Sequence, residues 1–102
     1  MKIKIGYKHY EVIEKEEDQA FALANGRRVF GTIDYHAEKI YINKAYANQM
    51  GETLIHEILH GVDDMYHLDM SEEFIRSLAT ALYTILMDNQ EQIRQMSLFK
   101  NQ

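Results

Sequence analysis

The chain has 102 residues, 46% hydrophobic and 26% charged, with a formal net charge of −5. That is one globular domain spanning 1–102 and neither a disordered tract nor a disulfide scaffold, because cysteine is absent and the apolar fraction suffices for a core. Residues 1–50 carry eight basic and seven acidic side chains and residues 51–102 three and nine, so no basic stripe of the kind nucleic acid needs is present.

The opening Met1-Lys2-Ile3-Lys4-Ile5 alternates charged and apolar residues, and no apolar region of a secretory leader or membrane span follows. Residence in the cytoplasm is the expectation, with no membrane partner. Ile3 and Ile5 mark a first strand, and Tyr10, Val12 and Glu14 share one face of a second. Residues 16–26 are polar and contain the turn signal Asn25-Gly26. Arg28 to Ile33 and Lys39 to Asn43 are rich in β-branched and aromatic residues and predict a hairpin.

The period then changes. From about Ala45 to Tyr66, Leu54, Ile58, Val62 and Met65 recur at helical spacing. Ser71 can cap a second helix whose first turn holds Glu72 and Glu73, where the helix dipole favours acids. Its core stripe is Ile75, Leu78, Leu82, Ile85 and Leu86, and Asp88-Asn89 ends it. The tail with Ile93, Met96, Leu98 and Phe99 suggests a short third helix, or a contact surface for a partner or a homodimer. The expected fold class is α+β: a small antiparallel sheet of about three strands followed by two packed helices.

Chemistry concentrates in His56-Glu57-Ile58-Leu59-His60. Residues four apart on a helix share a face, so two imidazoles can converge on one ion. With no thiolate available, any metal must be held by His, Asp or Glu, a donor set that suits zinc. Glu57 projects about 100° around the helix from His56, beside the ion without ligating it. There a carboxylate acts as general base toward water.

Catalytic zinc takes three protein ligands. His67 lies seven residues past His60, about 10 Å along a continuous helix, which reads as a helix-end histidine favoured by the dipole. Glu72 and Glu73 are better placed, since an antiparallel helix pair returns the start of the second helix to the end of the first. Phase favours Glu72, about 100° from the stripe centre against about 160° for Glu73, and both stay open. Asp63 and Asp64 follow His60 by three and four residues, positions from which an acid can orient the second ring nitrogen. Tyr66 and Tyr83 are oxyanion candidates but more plausible as packing residues. His9 and His36 read as surface residues.

The segment Thr53 to Asp64, with His56-Glu57-Ile58-Leu59-His60-Gly61 at its centre, resembles the ImmA/IrrE-like metallopeptidases, most of all short versions found in phages and prophages of Gram-positive bacteria. Phe30 to Tyr35 with Ile40-Tyr41-Ile42 is similar to that group's strand pair, and Ser71-Glu72-Glu73 with Leu78-Ala79 and Leu82-Tyr83 to its following helix. The resemblance spans residues 28–89 and implies a minimal zincin-like, gluzincin-type domain with a glutamate of the next helix as third zinc ligand. It implies hydrolysis of a peptide bond in an intracellular regulatory protein. Larger members of that group have a longer connection before the ligand glutamate than the one between His60 and Glu72. The alternative is a phage-type binding or inhibitor protein with a structural or vestigial metal site.

Overall fold

The computed structural model describes residues 1–17 and 29–96. Four strands, β1 (Lys2–Ile5), β2 (Lys8–Lys15), β3 (Gly31–Asp34) and β4 (Lys39–Asn43), form one sheet in the order β1-β2-β4-β3. A 3-10 segment (Lys44–Gln49) leads into α1 (Met50–Tyr66), followed by α2 (Glu72–Asp88) and α3 (Gln90–Gln95). The α+β class is as expected, with a four-stranded sheet in place of about three strands.

The sheet is mixed rather than antiparallel. β1–β2 and β3–β4 are antiparallel hairpins, but β2 and β4 run parallel, Val12 opposite Ile40 and Glu14 opposite Ile42. Parallel neighbours cannot be joined by a tight turn, and here β3 intervenes in the chain, running antiparallel to β4 on its other side. Asn43, fully buried, ties Glu17, just past β2, to Val29, just before β3. Its Nδ2 donates to Val29 O at 2.9 Å and Glu17 Oε1 at 3.3 Å, while its Oδ1 caps the 3-10 segment by accepting from Ala45 N. The expected turn at Asn25-Gly26 lies outside the described residues, as do Leu98 and Phe99.

One sheet face carries the core: Ile5, Tyr10, Ile40 and Ile42 are buried, and Leu54, Ile58, Val62 and Met65 of α1 pack against them. The stripe read from spacing is thus the face that meets the sheet. The helix begins at Met50 rather than near Ala45, because Tyr46 (φ −117°, ψ 59°) breaks helical geometry. Gly61 permits the close approach of α1: a Cβ there would come 2.8 Å from Ile5 Cδ1 and 3.3 Å from Ile33 Cδ1.

α2 packs on α1 rather than on the sheet. Ile75 and Ala79 are buried in that contact, with Leu78 and Leu82 half-buried, but Ile85 and Leu86 are 54% and 43% exposed. The expected core stripe is therefore too long. The helices run antiparallel, Tyr83 meets Gly51 at the start of α1, and the last turn of α2 extends past the surface that could bury it. Among the described residues no helix is long and apolar enough to cross a membrane.

Candidate metal centre

His56 and His60 occupy successive turns of α1 on a flank that faces neither the sheet nor solvent fully, their side chains 20% and 22% exposed. Their Nε2 atoms lie 3.2 Å apart. Glu72, the first residue of α2, completes the group: Oε1 is 2.8 Å from His56 Nε2 and Oε2 2.8 Å from His60 Nε2. Drawn with a proton on each Nε2, both rings donate to the one carboxylate.

The connection between the helices makes this convergence. α1 stops at His67, whose left-handed backbone (φ 54°) turns the chain while its N–H donates to Asp63 O. Asp63 Oδ1 accepts from Met70 N at 2.9 Å, and Ser71 Oγ caps α2 by accepting from Phe74 N at 3.0 Å. Glu72 follows directly. Phase on α2 had favoured it over Glu73, and the structure brings Glu72, not Glu73, to the histidines. His67 closes the helix, as expected of it.

The donor set fits a divalent ion. Ligands about 2.0–2.1 Å from one metal must lie within about 4.2 Å of each other, and all three separations here do. His56, His60 and Glu72 could therefore hold a metal ion. Burial lowers the His56 pKa, opposed by Glu72, with His60 and Arg76 adding to the lowering. A neutral ring presents the lone pair a metal needs.

Glu57 is 7% exposed, one residue round the helix from His56. Burial, with the Glu72 charge nearby, pushes its carboxyl up to about 7. It faces the edge strand: a Cβ on Gly31 of β3 would lie 3.4 Å from Glu57 Cγ. A buried carboxyl with a raised pKa beside a donor triad is a marker of functional sites.

Asp63 and Asp64 take other partners than expected. Asp63 Oδ1 holds the connecting loop through Met70, and Asp64 Oδ2 pairs at 3.7 Å with Lys8 Nζ, which also donates to Tyr35 O at 2.9 Å. Neither contact involves His60; the physical reason is that Asp63 follows the helix axis into the loop and Asp64 faces the sheet. Tyr83 sits against Gly51 at the opposite end of α1, and Tyr66 is 57% exposed. His9 on β2 and His36 in the turn between β3 and β4 are exposed. Arg76, one turn after Glu72 with Nη2 3.6 Å from its Oε1, is the neighbour that sequence reasoning missed; its i,i+4 spacing from the candidate ligand was the available signal.

Fold and site together define an α+β chain with a candidate two-histidine, one-glutamate metal centre on a helix pair. Comparison of the chain with known protein families, with characterised proteins and with solved structures finds no match.

Proposed function

We propose that the protein is a zinc-dependent metallopeptidase, with His56, His60 and Glu72 as ligands and Glu57 as general base. The observation that carries this reading is the convergence of three donors from two helices beside a buried carboxyl that is not one of them. The resemblance of residues 28–89 to ImmA/IrrE-like peptidases points the same way, and with it a regulatory protein of a phage or its bacterial host as substrate.

A divalent ion supplies Lewis-acid polarisation of a carbonyl and acidifies water. The chain's own residues do the remainder. His56 and His60 offer neutral nitrogen donors, and Glu72 offers the charge that favours a cation. Glu57, in its desolvated position, takes a proton from the attacking water and delivers it to the leaving amine. The substrate lies along β3, the sheet edge beside Glu57, as an added strand.

The test is metal analysis of purified protein, with hydrolysis of a mixed-sequence peptide library by wild type and Glu57→Gln. Expected are one zinc per chain in both proteins and hydrolysis by wild type alone. Absence of bound metal after zinc supplementation, or full activity in the variant, overturns the reading.

A second reading, a binding protein with a structural metal site, draws on the exposed Phe74, Ile85, Leu86 and Met87 of α2. A stoichiometric complex with an intact partner, and a fourth protein donor closing the site, are its signatures.

A further inference from the structure

The seam between α1 and α2 carries two opposed polar rows, each at i, i+4 spacing: Glu52, His56 and His60 on α1, and Glu72, Arg76 and Thr80 on α2. The contacts follow an antiparallel register. Glu72 meets both histidines, and Thr80 Oγ1 donates to Glu52 Oε2 at 3.4 Å. Arg76 lies between these two contacts, at the His56 end of the donor group. One oxygen links them: Glu72 Oε1 is 2.8 Å from His56 Nε2 and 3.6 Å from Arg76 Nη2.

As a stabilising ion pair this contact is weak. At 3.6 Å it is beyond good hydrogen-bonding distance, Arg76 is 62% exposed, and such surface pairs contribute little. What the position does provide is an exposed cation with five N–H donors in a planar fork beside the donor group. Glu72 cannot satisfy both: a carboxylate whose charge is neutralised by a divalent cation holds a neighbouring guanidinium less tightly. The fork is then available to another oxygen at the same place. A hydrolytic centre gains from a protein donor there, in addition to the ion, because the carbonyl oxygen becomes negative as water adds. The tyrosines singled out for that role do not meet it, Tyr83 being at the far end of α1 and Tyr66 directed outward.

We infer that Arg76 is the anion-binding residue of this site, its guanidinium donating to the substrate oxygen that gains negative charge next to His56 and Glu72. The inference rests on the metallopeptidase reading and adds a protein donor to an oxygen that reading otherwise leaves to the ion alone. It also predicts that, among small ligands, the site favours tetrahedral and carboxylate oxyanions.

The experiment loads the full chain with Co2+ and titrates inorganic phosphate while following the cobalt absorption bands. Wild type, Arg76→Ala, Arg76→Gln and Arg76→Lys are compared. A charge-assisted hydrogen bond of about 1.5–3 kcal/mol corresponds to a 10- to 150-fold change. Phosphate affinity is expected to fall by at least about tenfold in the Ala and Gln variants and to recover partly in Lys. Cobalt affinity is expected to stay within about threefold of wild type, since Arg76 is not a ligand. Unchanged phosphate affinity in Arg76→Ala and Arg76→Gln overturns the inference, as does phosphate failing to perturb cobalt-loaded wild type. A parallel loss of cobalt affinity also overturns it, because Arg76 would then serve only to hold Glu72. Failure of wild type to bind cobalt is a different result, which removes the metal centre and this inference with it.

Discussion

Asp63 Oδ1 accepts a hydrogen bond from Met70 N at 2.9 Å, seven residues on and two before Glu72. This bond closes the loop that returns α2 to the histidines, so an acid three residues past His60 governs where the third donor stands. Asp63→Ala is expected to cost about 1–2 kcal/mol of stability by leaving the Met70 N–H without its partner, measured by urea unfolding. Zinc affinity should fall by about tenfold, because Glu72 loses its positioning, as outer-shell changes typically do. Unaltered zinc affinity in a folded Asp63→Ala would show that α2 is placed by helix packing alone.

Glu72 and Glu73 are adjacent acids in one helix turn, and only Glu72 meets the imidazoles. Zinc should raise the melting temperature of wild type and of Glu73→Gln equally. A ligand present at about 1,000 times its Kd stabilises a fold by about 4 kcal/mol, and Glu72→Gln should lose most of that gain. Equal responses in the two variants would remove Glu72 from the metal centre.

Gly31 of β3 lies close against α1. A Cβ there would stand 2.7 Å from Thr53 Cγ2 and 2.9 Å from Tyr41 O, and the second contact is backbone that cannot rotate away. Gly31→Ala is expected to destabilise by about 1–3 kcal/mol through overpacking. Adding Thr53→Ser removes the methyl but not the carbonyl clash, so the double variant should recover only part of the loss in chemical unfolding.

Among the described residues the Tyr10 hydroxyl is buried with no hydrogen-bond partner. Burial, aided by Asp64, raises its pKa from 10.0 to about 12. The folded state therefore favours the protonated phenol. Stability is unaffected below the unfolded pKa and declines as pH rises from that value toward the folded one, by up to about 2–3 kcal/mol. Tyr10→Phe should match or exceed wild-type stability at neutral pH, since it deletes an unsatisfied polar atom. Between about pH 10 and about pH 12 it should lose less stability than wild type. Parallel losses in the two proteins would assign the alkaline decline to other groups.

Much of this architecture is local and was legible in the chain. The α1 stripe of Leu54, Ile58, Val62 and Met65, the Ser71 cap and the i,i+4 histidines depend only on helical periodicity, and each appears where spacing put it. Phase alone also ranked Glu72 above Glu73. The parallel pairing of β2 with β4 was not legible, because the strand residues are the same whichever direction their neighbour runs. Exposure of Ile85 and Leu86 was equally hidden: periodicity says which face is apolar, not how far the facing helix extends to cover it.

Sequence by itself determined that two imidazoles stand one turn apart on one helix with a carboxylate beside the first, since a helix sets those positions by its own backbone geometry. Only the tertiary structure decided that Glu72 closes the group, that Arg76 stands at its rim and that Asp63 serves the loop instead of His60. Those relations join two helices, and their geometry follows from how the connecting turn and the interhelical packing orient one helix against the other.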